Sequence, residues 1–104
     1  VLHVLDNPFP VLTEIRRVMA PTARFMLQDW VRTPLPVYLD RMLPASMEPG
    51  QRLAVQGRLL PLFTVHNKYT LDDWIWVLQQ AGFSIEDQQQ LGSPHFRTFV
   101  CRAR

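Results

Sequence analysis

His66 to Phe83, HNKYTLDDWIWVLQQAGF, is the stretch whose reading decides the fold. Thr70 can cap a helix through its hydroxyl, and Asp73, three residues on, can bond back to the Thr70 N–H, a variant of the Ser/Thr-x-x-Glu capping box. Asp72 and Asp73 put negative charge in the first turn, where the helix dipole favours it. Leu71, Trp74, Ile75, Leu78 and Ala81 recur at helical spacing as one apolar stripe. Gly82 follows the last helical residue and can take the left-handed conformation that ends helices. Phe83 then opens a strand-like run. The stretch predicts a helix that covers a sheet and returns the chain to it.

Downstream, Phe83 to Gln90 reads as a strand that turns polar toward its end, so an edge or half-exposed one. Leu91-Gly92-Ser93-Pro94 is a turn. His95 to Arg102 alternates, with Phe96, Thr98 and Val100 on one face and Arg97, Phe99 and Cys101 on the other. The short link predicts an antiparallel hairpin. Upstream, prolines at 34, 36, 44, 49 and 61 break Thr33 to Val65, with room for two helices near 37–43 and 51–60. Such a segment is either a lid over a site or padding on the sheet.

Arg24 to Trp30, RFMLQDW, predicts a strand with Phe25, Met26 and Leu27 as its buried centre. Val11, Leu12, Ile15, Val18 and Met19 fall at helical spacing, with Asn7 as N-cap and Ala20-Pro21-Thr22 as the stop. Val1 to Leu5, VLHVL, reads as the end of a buried strand. Strand, helix, strand predicts a parallel pair with a right-handed crossover. The expected class is α/β: a mixed sheet of about four strands with packed helices, two strands parallel and joined by a helix, and a closing antiparallel hairpin. A single domain over 1–104 is expected, with 33–68 as a proline-broken lid or insertion.

The 104 residues are 47% hydrophobic and 19% charged, which fits one globular domain and excludes a disordered chain. Net charge is +2, and the arginines behind it are scattered from Arg16 to Arg104 rather than clustered among aromatics. That distribution argues against a nucleic-acid surface. Cys101 is the single cysteine, so no internal disulfide can form. With no signal peptide and no apolar run of membrane-spanning length (about 18 residues), the expectation is a cytoplasmic protein without a membrane partner. The sequence begins at Val1, directly in an apolar run and without Met, which fits a trimmed or continued reading frame.

Candidate chemistry gathers at the predicted strand ends. His3 is either a backbone-bonded strand-end histidine or a catalytic one, because open α/β sheets place ligands at the C-terminal ends of their strands. Asp29 and Trp30 end the second strand, where they either position a polar substrate or start a loop. His66 either caps a loop or lines a pocket with Asn67 and Tyr69. His95 reads as a surface residue. The histidines lack metal-ligand spacing, so no metal is expected. The glycines at 50, 57, 82 and 92 form no G-x-G loop, and no serine or cysteine nucleophile has a supporting motif.

Taken together, VLHVLDNPFPVLTEIRRVMAP, RFMLQDW and NKYTLDDWIWVLQQAGFSIED resemble the second half of a class I S-adenosylmethionine-dependent methyltransferase. In that family a "VLHHL"-type strand end precedes a "vLxEixRvLkPGG" helix, and a "yTleelxxlLeeAGF" helix leads into the closing hairpin. The matching pieces here are Val1 to Leu5, Leu12 to Pro21, Arg24 to Asp29 and Tyr69 to Phe83; Thr22-Ala23 replaces the usual glycine pair. The resemblance implies half of a Rossmann-like methyltransferase fold. Val1 to Leu5 would lie beside Arg24 to Trp30, then the last strand, then Phe83 to Gln90 at the edge.

By the same resemblance Leu2 and His3 would lie near the methyl-bearing end of the cofactor. Asp29, Trp30 and the segment from Thr33 to Tyr69 would lie over a small-molecule acceptor, with His3 or Asp29 as proton acceptor. The family's glycine-rich loop and ribose-binding acidic residue fall before Val1. The expected function is therefore the acceptor-side half of the enzyme, inactive and without bound S-adenosylmethionine on its own. It would form a homodimer through an exposed edge strand at 1–5 or through the insertion. The other reading is a free-standing non-catalytic oligomeric domain that holds a small apolar ligand under Trp30, Tyr38 and Tyr69.

Overall fold

The computed structural model describes residues 2–104. The opening helix forms as its sequence dictates. It is α4, Leu71–Gln80, with Thr70 Oγ1 accepting the Asp73 N–H and Asp73 returning to the Thr70 N–H. Gly82, just past its end, has φ 94°, a backbone conformation that side chains with a Cβ disfavour. The stripe faces inward, with Trp74 and Leu78 fully buried. Val77 is buried as well, beyond the predicted stripe. A cap contributes about 1 kcal/mol. Burial of one large apolar side chain contributes about 1.5–3 kcal/mol. Packing therefore decides where α4 sits, and the cap decides where it starts.

The preceding elements are α1 (Phe9–Val18), β1 (Arg24–Trp30), α2 (Leu35–Met42) and α3 (Pro49–His66). The chain closes with β2 (Phe83–Gln90) and β3 (Phe96–Ala103). The fold is α/β, with a three-stranded sheet in the order β1-β3-β2 and both pairings antiparallel. Leu27 pairs with Phe99 and Phe25 with Cys101, so these face the helices together. Leu12 of α1 and Trp74, Val77 and Leu78 of α4 close on Leu27, Phe83, Phe99 and Cys101 to make the core. The other sheet face is uncovered around Met26. Met26 there is 65% exposed, which corrects its expected place at the buried centre of the strand. A register shift between Ile85 and Asp87 bends the polar half of β2.

The expected first strand is not present in the described residues. Leu2–Val4 form a 3-10 turn, and Val1 lies outside what is described. The Leu5 N–H bonds back to the Leu2 carbonyl (3.1 Å), and the His3 N–H goes to the Asp29 carboxylate (3.2 Å). These backbone donors are spent locally and on a side chain, so no ladder with β1 is built. The parallel pair, the fourth strand and the edge strand at 1–5 are all corrected by this turn. The last strand does lie between the other two.

The proline-broken segment is helical. Pro34 and Pro49 stand at the starts of α2 and α3, where a missing N–H costs nothing. α3 has 18 residues and buries none of them. At about 1.5 Å per residue it is roughly 27 Å long. Leu53 (72% exposed), Leu60 and Leu62 face outward, and the molecule extends 55 × 25 × 18 Å. Two of the five residues of the α1 stripe are also uncovered: Val11 and Val18 border a shallow apolar recess of about 400 Å³ with Pro10, Glu14 and Ile15.

Cys101 is fully buried, and burial, with a smaller contribution from Glu86, pushes its thiol up to about 11. A thiol reagent at pH 8 is expected to leave the native protein unlabelled and to label one thiol per chain in denaturant. Fast labelling of the native protein would contradict the buried register of β3.

Candidate functional site

Strand alternation places Leu27 and Asp29 on the same face of β1. Asp29 is therefore a buried carboxylate, 4% exposed, and it needs donors. Its Oδ1 accepts the Trp30 N–H at 2.8 Å and meets His3 Nδ1 at 2.6 Å. Its Oδ2 accepts the His3 N–H. The carboxylate thus holds both the backbone and the ring of His3. Arg97 stands opposite Asp29 on β3, and its Nε is buried without a hydrogen-bond partner among the described residues.

His3 Nε2 in turn lies 3.2 Å from Nδ1 of His66, the last residue of α3. Asp29, His3 and His66 form one continuous chain of polar contacts, although 63 residues separate the two histidines. Desolvation lowers the His66 pKa, with further lowering from His3 and Lys68. Among the described residues nothing hydrogen-bonds to His66 Nε2, and the side chain is half-buried, so that nitrogen can be reached from outside.

Trp30 forms the floor. Its ring centroid lies 5.9 Å from His3, 5.4 Å from His66, 5.2 Å from His95 and 6.1 Å from Tyr38. Arg41 of α2 stacks over Trp30 at 5.7 Å and over Phe96 at 4.9 Å. Asn67 is the clamp. Its Oδ1 accepts the Trp30 Nε1–H (3.2 Å) and the Thr33 N–H (3.1 Å), while its Nδ2 donates to the Phe63 carbonyl (2.9 Å). One 2%-exposed amide thereby ties the end of β1 to the end of α3. Tyr38 is fully buried against Trp30 and Phe63, and its hydroxyl has no hydrogen-bond partner among the described residues. Burial raises its pKa.

His3, Asp29, Trp30, Tyr38, His66 and Asn67 therefore come together. Leu2 and Tyr69 do not line the cluster. Leu2 packs against the core; Tyr69 stacks on Trp74 at 4.7 Å, and its hydroxyl donates to the Leu5 carbonyl at 2.5 Å. His95 is corrected: it is 3% exposed, with Nδ1 at 3.3 Å from Thr33 Oγ1 and its carbonyl accepting the Val31 N–H. Burial and Arg41 lower its pKa. Sequence reasoning missed His95, Thr33 and Arg41. Ser93-Pro94 before His95 gave a turn signal only, and none of the three sits in a motif.

Among the described residues no group of three or more His, Cys, Asp or Glu could hold a metal ion. Leu2 is packed into the core, the Leu5 carbonyl is occupied by Tyr69, and no glycine lies in this turn. No protein-family model matches the chain, and no curated protein matches it significantly. No described helix is long and apolar enough to cross a membrane.

His66 and His95 are held below their ordinary value of 6.5, so the unfolded chain binds protons there before the folded one does. Their contribution to stability is complete above about pH 6.5 and is lost as pH falls through the folded values. Thermal melts from pH 7.5 to 5 are expected to show falling stability below that point, with a shallower fall in His95→Asn. Stability that rises on acidification through this window would contradict the buried neutral histidines.

Proposed function

We propose that this chain is the acceptor-side half of an S-adenosylmethionine-dependent methyltransferase fold, inactive alone. The observation that carries the reading is the Asp29–His3–His66 chain at the C-terminal end of β1, beside the aromatic surface of Trp30. A carboxylate-oriented imidazole is what a hydroxyl acceptor needs to lose its proton. Arg41, exposed and lying over the buried Trp30 ring, offers a stacking surface for a flat acceptor. The strand order β1-β3-β2 supports the same reading, because the family places its closing strand in that middle position. These residues bind and orient an acceptor and take its proton. They provide no anchor for the methyl donor, which this reading leaves to the other half of the fold.

The second reading, a non-catalytic oligomeric domain, rests on a different observation. Leu53, Leu60 and Leu62 of α3 are uncovered, as is the α1 recess. In this reading a homodimer forms through the 33–68 segment and not through an edge strand. The cytoplasm is the compartment we assign under either reading.

A thermal-shift titration with S-adenosylmethionine separates the outcomes. A site filled to a tenth of saturation adds less than about 0.1 kcal/mol, so no resolvable shift is expected. Strong, saturable stabilisation would overturn the half-site reading, because the chain would then hold the donor by itself. A folded chain shown by light scattering to be a cofactor-independent dimer would favour the second reading.

A further inference from the structure

The proton acceptor of this cluster is assigned by its hydrogen-bond directions. Every contact described for the Asp29 carboxylate comes from an N–H, so it serves as acceptor and fixes a proton on His3 Nδ1. In a neutral imidazole the other nitrogen is then a lone pair. With His3 neutral, its Nε2 accepts, and the atom facing it at 3.2 Å, His66 Nδ1, carries the hydrogen. His66 is left with its lone pair on Nε2, the nitrogen without a partner among the described residues. Both ring nitrogens of His3 are engaged, so His3 does not meet an incoming proton first.

We propose that Asp29, His3 and His66 form a two-histidine proton relay whose outward-facing base is Nε2 of His66. The relay deepens the methyl-transfer reading, which supplies the hydroxyl acceptor, but its own wiring does not depend on it. The step balances without any further reactant. The lone pair of His66 Nε2 forms an N–H bond with the acceptor's hydroxyl proton, and the O–H electron pair stays on oxygen. The hydrogen on His66 Nδ1 passes to His3 Nε2. His66 ends neutral with its proton on Nε2, and the positive charge rests on His3, against the Asp29 carboxylate.

The surroundings favour that resting place. Protonated His66 would keep its charge at the end of α3 beside Lys68, whereas the relay moves it onto the ring that the buried carboxylate holds. The helix dipole favours a cation at that C-terminus, which assists proton entry there. Among the described residues, the charged and titratable groups around the pair are Asp29 of β1, Arg97 opposite it on β3, Tyr38 and Arg41 of α2, Lys68, and Asp6, which pairs with Lys68 at 3.4 Å.

The test is nitrogen-15 NMR of the histidine rings in the 104-residue chain across pH 8 to 5. The expected result is His66 with its hydrogen on Nδ1 at high pH. The first proton bound by the pair should then switch His66 to the Nε2–H form in step with double protonation of His3. Asp29→Asn should abolish the switch. A His66 that is already Nε2–H at high pH, or that becomes doubly protonated while His3 stays unchanged, overturns the relay. The wild-type titration decides this even if Asp29→Asn fails to fold. Failure of the relay would leave methyl transfer intact with His3 as the base. Failure of methyl transfer would leave the tautomer switch unaffected.

Discussion

The buried carboxylate of Asp29 is the group on which the rest of the site depends. A carboxylate taken out of water loses several kcal/mol of solvation unless donors replace it. Here the replacements are the Trp30 N–H and two donors of His3. That requirement explains why the amino-terminal residues turn in place of pairing. A strand beside β1 would commit the His3 N–H to a backbone carbonyl and leave Oδ2 without that donor. The 3-10 turn serves the carboxylate, and the imidazole follows its own backbone into line with His66.

Asn67 does for the second half of the site what Asp29 does for the first. It joins the indole of Trp30, the backbone of Thr33 and the last turn of α3 through one side chain. α3 fully buries none of its own residues and is held at both ends, here by Asn67 and near its start by Arg52, which bonds the Pro44 carbonyl and the Asp40 carboxylate. The relay is thus held between two fixed points, a buried carboxylate on the sheet and a buried amide at the helix end. The aromatic floor lies between them.

Much of the fold was legible because local rules and packing agree there. Thr70, Asp73 and Gly82 mark the ends of α4, and Trp74 and Leu78 mark its inner face. The antiparallel hairpin followed from the short link between two alternating runs. The first five residues misled because VLHVL has strand composition, and composition cannot register that Asp29 would claim a backbone donor 26 residues away. Val11 and Val18 of the α1 stripe and Met26 misled for a related reason: apolar spacing shows which residues share a face, not whether anything covers it. The site was legible residue by residue in His3, Asp29, Trp30 and His66. Their connection was not, because a contact between positions 3 and 66 leaves no local pattern. His95 gave no signal of burial at all.

The most direct test of this account is a double-mutant cycle on the Asp29–His3 contact, using Asp29→Asn and His3→Gln and measuring unfolding in urea at pH 7. Asn keeps the size of Asp29 and one acceptor oxygen while removing the charge, and Gln removes the imidazole of His3. Residues in direct polar contact couple by about 0.5–3 kcal/mol, whereas independent sites add to within about 0.5 kcal/mol. We predict a coupling of at least about 1 kcal/mol, toward the strength of a charge-assisted buried pair. Additive losses from the two substitutions would contradict the claim that this carboxylate organises the amino-terminal turn and the site built on it.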